Sequence, residues 1–82
     1  MNNDDNYQPI SCELYSEYEL AIMRGHRIKL VWQENQQTRI ATVTPIDLLT
    51  REHQEFLVAV NHAGDQLQIR LDHIRSQAFI AD

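Results

Sequence analysis

The side chains able to do chemistry in this 82-residue chain are carboxylates, four histidines and one thiol, so their spacing decides what is open to them. Glu13 and Glu17 lie one helical turn apart, on one face of any helix that carries them. Paired carboxylates can serve acid–base catalysis or present a charged surface. A chain this short has little with which to wall a cleft, so surface presentation is the better reading. His26, His53, His62 and His73 contain no i, i+4 pair and no strand i, i+2 pair. Converging metal ligands are therefore not expected. Cys12 is the single cysteine and cannot form an intrachain disulfide. A helix start lowers a thiol pKa, but the neighbouring acids oppose this, and a packed or idle cysteine is expected. Two isolated glycines cannot build a phosphate-cradling loop. No enzyme site assembles, and no cofactor is expected.

The charge has a direction. Residues 1–23 hold Asp4, Asp5, Glu13, Glu17 and Glu19 with no Lys or Arg, whereas residues 24–82 hold seven acids and seven Lys/Arg. The whole net charge of −5 therefore sits in the N-terminal quarter. Such a one-sided field attracts a basic partner surface and repels phosphate, which disfavours direct nucleic-acid binding. Tyr7, Tyr15 and Tyr18 share this segment. Tyr18 is assigned to the core, while Tyr7 and Tyr15 divide between lining the junction with the rest of the fold and meeting a partner, where tyrosine is enriched.

The elements that must position these groups follow from periodicity. With 43% hydrophobic and 23% charged residues, the chain is one folded domain, here 7–82, after a polar stretch 1–6 expected to be disordered. The lone cysteine, the acidic N-terminus and the short apolar runs point to a cytoplasmic protein. Tyr7-Gln8-Pro9-Ile10 should be extended, because a residue before proline avoids the α region. Ser11 is the N-cap of a helix over 12–24, with Leu14, Tyr18, Ala21 and Ile22 at apolar spacing and Gly25 as the stop. On that helix Glu13, Glu17 and Arg24 share one flank, and Glu19 lies on the other with Cys12 and Ser16.

After Gly25 the period changes to two. Ile28, Leu30 and Trp32 alternate with Arg27, Lys29 and Val31; 39–44 is a second strand, Pro45 marks a bend or an edge, and 46–49 can continue that strand after the bend. The polar run 51–54 is a turn, 56–60 an apolar strand, 61–65 a hairpin turn, and 66–71 and 74–81 the last strands. The fold class is mainly β with one N-terminal helix: a small, strongly bent five-stranded antiparallel barrel. Sm-like and SH3-like barrels both fit, and the leading helix favours Sm-like.

The run Tyr7-Gln8-Pro9-Ile10-Ser11-Cys12, followed by Tyr15 and Glu19-Leu20-Ala21, resembles the opening of the Rho-binding antiterminators, the Rof (YaeO) family of bacteria. Ile69-Arg70-Leu71-Asp72-His73-Ile74 is similar to that family's Leu-Arg-Leu-Asp-Lys-Ile segment. The resemblance runs from Tyr7 to about Phe79. It implies an Sm-like domain that binds the N-terminal RNA-binding domain of the termination factor Rho, blocks its primary RNA site and prevents termination. By position, Glu13, Tyr15, Ser16, Glu17 and Glu19 would fall on the contact helix, and Arg51 and Glu52 in a loop also placed near Rho. Leu14 and Ser16 stand where better-known relatives carry acids, while Glu17 supplies an acid where they have a neutral residue. The chain would be a monomer when free, with no membrane partner. The rival reading is an Sm-like RNA-binding module, which the balanced charge of the barrel and the acidic helix oppose.

Overall fold

The computed structural model describes residues 6–80. Ser11 is extended, with φ −65° and ψ 151°, and its Oγ accepts a 3.1 Å hydrogen bond from the Leu14 N–H. That bond satisfies one of the donors a helix start leaves open. The helix α1 (Cys12–Arg24) carries Glu13 in its first turn and Arg24 in its last, both favourable to the helix dipole. Gly25 ends it at φ 67°: the Gly25 N–H donates to the Ile22 carbonyl at 3.3 Å, and His26 N–H to Ala21 at 3.0 Å. This paired closure is the Schellman arrangement. Tyr18 and Ala21 are buried, as the apolar spacing predicts.

Five strands follow: β1 (Arg27–Glu34), β2 (Gln37–Arg51), β3 (Gln54–Val60), β4 (Gln66–Arg70) and β5 (Ile74–Ile80), with a 3-10 turn over Leu71–His73 between the last two. They form one antiparallel sheet in the order β4-β3-β2-β1-β5. Ile28, Leu30 and Trp32 are buried and alternate with exposed Arg27 and Lys29. Asn35 and Gln36 join β1 to β2 with φ of 51° and 65°, and Glu52 and His53 join β2 to β3 with φ of 52° and 66°. Both are two-residue turns with two left-handed residues, the geometry that matches strand twist.

The second strand continues past the bend at Pro45, as the residues 46–49 suggest, and reaches further: β2 is a single 15-residue strand. Its first half pairs with β1 up to Ile28↔Val43, its second with β3 from Thr44↔Val60 to Arg51↔Gln54. The register shifts between Pro45 and Asp47. Proline lacks an N–H, and it falls where the strand leaves β1, so the bulge bends β2 without breaking the ladder to β1. The bend curls the sheet and brings its ends together through the 3-10 turn.

The core lies inside the curl, where Ile28, Leu30, Val43, Leu57 and Leu71 are fully buried, and α1 closes it with Tyr18. Burying each such side chain contributes about 1.5–3 kcal/mol. The rings of Tyr18 and Phe79 meet at 5.8 Å and 55°, tying the helix to β5.

A strap precedes the helix. Its Asn6 carbonyl accepts from Arg70 Nη2 at 3.3 Å, and the Gln8 N–H donates to Asp72 Oδ2 at 3.0 Å. Arg70 itself is paired with Asp72 at 2.7 Å, both side chains being largely buried. Of the stretch 1–6 read as disordered, residues 1–5, including Asp4 and Asp5, lie outside the described residues, as does Ala81. Among the described residues no helix is long and apolar enough to cross a membrane.

Candidate partner-binding surface

The capping at Ser11 and Gly25 fixes the helix register, and with it the direction of every acid on α1. Glu13, Glu17 and Glu19 are all exposed. Among the described residues none of them is in an ion pair; the ion pairs found there gather on Asp72, with Arg70 and His73. Glu13 and Glu17 share one flank. Glu17 lines a shallow hollow with Leu20, Arg24, His26 and Phe79. Its charge adds to the effect of burial in pushing the Tyr18 phenol up to about 12.

Glu19 faces the other flank, the Tyr15 side. Here α1 packs against β2, and Tyr15, Ser16, Glu19, Leu20 and Met23 line an open groove of about 590 Å³ with Asp47 and Leu48. Next to it, Cys12, Tyr15 and Ser16 meet Ile10 and Glu55 in a smaller hollow. The Tyr15 phenol is raised above its ordinary value by burial first, then by the charges of Glu55, Glu19 and Asp47. Three carboxylates from three elements thus converge on one half-buried tyrosine.

Asp47 and Glu55 are the residues that sequence reasoning missed. Asp47 is delivered by the bulge after Pro45 and is held locally, its Oδ1 accepting from the Leu48 N–H at 2.8 Å. Glu55 had a legible signal. It stands two positions before the fully buried Leu57, so period two aims it at the helix side rather than outward. It also receives the Tyr7 hydroxyl at 2.8 Å.

Arg51 and Glu52 are exposed at the β2–β3 turn. Arg51 lies over the Phe56 ring at 4.8 Å and donates to Gln68 Oε1 at 3.2 Å. It therefore runs along the β3–β4 face. The structure brings Tyr15, Ser16 and Glu19 together, holds Glu13 and Glu17 on the opposite flank, and sets Arg51 and Glu52 at the β2–β3 turn. Among the described residues no group of three or more His, Cys, Asp or Glu is placed to hold a metal ion.

Residues 9–80 match the family described as Modulator of Rho-dependent transcription termination (ROF). The chain is 34% identical over 73 residues to Protein rof of Escherichia coli (strain K12), covering 89% of this chain and 82% of that protein. Protein rof of Shigella flexneri gives the same figures. Among solved structures, Proteasome accessory factor B/C (PafBC) of Arthrobacter aurescens superposes over 90% of this chain with a TM-score of 0.74 at 20% identity. This chain spans 12% of that protein, and the likeness is one of fold. With the family match running from the strap through β5, the chain belongs to the family of modulators of Rho-dependent transcription termination.

Proposed function

We propose that the chain is an inhibitor of Rho-dependent termination that binds the N-terminal RNA-binding domain of Rho through α1 and blocks its primary RNA site. The observation that carries this reading is the state of Glu13, Glu17 and Glu19: exposed, and unpaired among the described residues. A surface that normally grips phosphates is complementary to such carboxylates, which can accept the same Arg and Lys donors. Exposed pairs add only about 0.2–1 kcal/mol each, so several act together with a half-buried aromatic anchor, Tyr15. Ser16 borders that anchor, and Arg51 and Glu52 form a separate contact at the hairpin. The protein acts by binding, in the cytoplasm, without catalysis.

The test is a pull-down of Rho from a bacterial lysate, repeated with Glu13→Lys and Glu17→Lys together. The reversal should abolish capture while circular dichroism stays native. Unchanged capture sinks the electrostatic account. A gel shift with single-stranded RNA, pyrimidine-rich or A-rich, should show no binding; a clear shift would favour the RNA-binding module.

A further inference from the structure

The groove between α1 and β2 combines exposed apolar side chains with carboxylates. Its wall carries large exposed apolar side chains, Leu20 at 41% and Met23 at 79% exposure, with Leu48 beneath them. Its rim carries Glu19 and Asp47, and no Lys or Arg lines it. An exposed methionine beside a leucine is characteristic of an interface, where Met is enriched and adapts its shape to what docks. Purely apolar occupants leave the two carboxylates desolvated and unmatched. A compact ammonium satisfies the charge but not the apolar wall. The side chain that matches both is arginine, with a long aliphatic stem and a planar, weakly hydrated head that fits a carboxylate.

We propose that this groove receives an arginine of the protein partner, its stem against Leu20, Met23 and Leu48 and its guanidinium at the carboxylates of Glu19 and Asp47. This rests on the reading that the partner is Rho, and it adds a second anchor on the flank of α1 opposite Glu13 and Glu17. Tyr15 lines both the groove and the hollow beside it, where the charge of Glu55 acts on the same tyrosine. The Glu13/Glu17 flank then supplies attraction at a distance, while the groove supplies register.

The experiment measures binding of the full chain to the isolated N-terminal domain of Rho by calorimetry. Glu19→Gln with Asp47→Asn should weaken binding about tenfold or more, and Met23→Ser about threefold or more. Ile40→Ser, which removes an exposed apolar residue that does not line the groove, should leave binding unchanged. Wild-type affinity in both groove variants overturns the proposal. So does a dimer of the chain, seen by sedimentation, that Met23→Ser dissolves, because the groove would then be filled by a second copy. If the wild-type chain fails to bind Rho, the earlier reading falls by itself. The groove is then judged with an amphipathic peptide carrying arginine among leucines. Shifts of the Met23 and Leu48 methyl resonances, larger than with the lysine version of the peptide, support the site; no shift overturns it.

Discussion

The Tyr7 hydroxyl donates to Glu55 Oε1 at 2.8 Å, joining the strap before α1 to the start of β3 across 48 positions of sequence. Arg70 lies over the same tyrosine ring at 5.8 Å, and its pairing with Asp72 places that carboxylate to receive the Gln8 N–H. Strap, β3 and the 3-10 turn are therefore one latch. Glu55 also lines the hollow beside Tyr15, so the anchor for the start of the helix borders the surface proposed to meet a partner.

The tyrosines of this region set an alkaline limit. Burial, then the Glu55 hydrogen bond, raises the Tyr7 phenol; burial raises Tyr15; and burial takes Tyr18 from 10.0 to about 12. A group whose folded pKa exceeds its unfolded value contributes stability that is fully present below the unfolded value and is lost as pH rises through the folded one. The fold should hold to about pH 10 and then loosen, with tyrosinate absorbance appearing together with loss of the helix signal in circular dichroism. Tyr7→Phe should cost about 1 kcal/mol near neutrality and make the alkaline loss shallower. Tyrosinate absorbance rising near pH 10 while circular dichroism stays native would contradict this.

Asp72 sets the acid limit. Burial would raise its pKa, but hydrogen bonds from Arg70 and the Gln8 N–H, with the charges of Arg70 and His73, outweigh burial and lower it below the ordinary 3.8. The sign is therefore opposite to that of the tyrosines: the contribution is present above the unfolded value and lost as pH falls through the folded one. Acid unfolding should begin below about pH 4, and Asp72→Asn should flatten it while costing about 2 kcal/mol at neutral pH. Thermal melts across pH 2–7 provide the check; equal acid slopes for the two proteins would remove Asp72 from the latch.

Much of this architecture is legible in the residues. Ser11 and Gly25 bracket the helix, and Ile28, Leu30 and Trp32 announce a half-buried strand, because both signals are local and periodic. Pro45 marks the bend, and the strand runs on past it for a physical reason. Proline ends a strand only where its missing N–H is needed, and here the chain is already changing partners. The helix acids are legible as exposed charge. The side that Glu55 takes is legible from the period of β3, but its meeting with Asp47 at Tyr15 is not, because that depends on a bulge and on which way a curled sheet turns its inner face. Arg51 is visible as a turn residue, but its seat on Phe56 depends on strand pairing.

The β1–β2 turn holds a stabilising opportunity. Gln36 sits at φ 65° with a full side chain, where the left-handed region costs a non-glycine residue about 1–2 kcal/mol. Asn followed by Gly is the sequence that this turn prefers. Gln36→Gly should therefore stabilise the fold by about 1 kcal/mol, raising Tm by about 5 °C, and leave partner binding untouched. A lower Tm would mean that the exposed Gln36 side chain makes a contact worth more than the strain.

Salt separates attraction by charge from attraction by apolar contact. The Glu13/Glu17 flank is exposed, so its pull on a basic surface is screened within about 10 Å at 0.1 M salt. The groove lined by Leu20, Met23 and Leu48 is partly shielded once filled, and that contact is screened less. Affinity for Rho should fall about tenfold or more between roughly 50 and 300 mM salt, chiefly through a slower association rate. Glu13→Gln with Glu17→Gln should flatten that dependence, whereas Met23→Ser should leave the slope in place and speed dissociation. Rapid-mixing kinetics at a series of salt concentrations read both rates. A wild-type association rate indifferent to salt would refute the role given to the helix carboxylates, because exposed charge that steers a partner cannot escape screening.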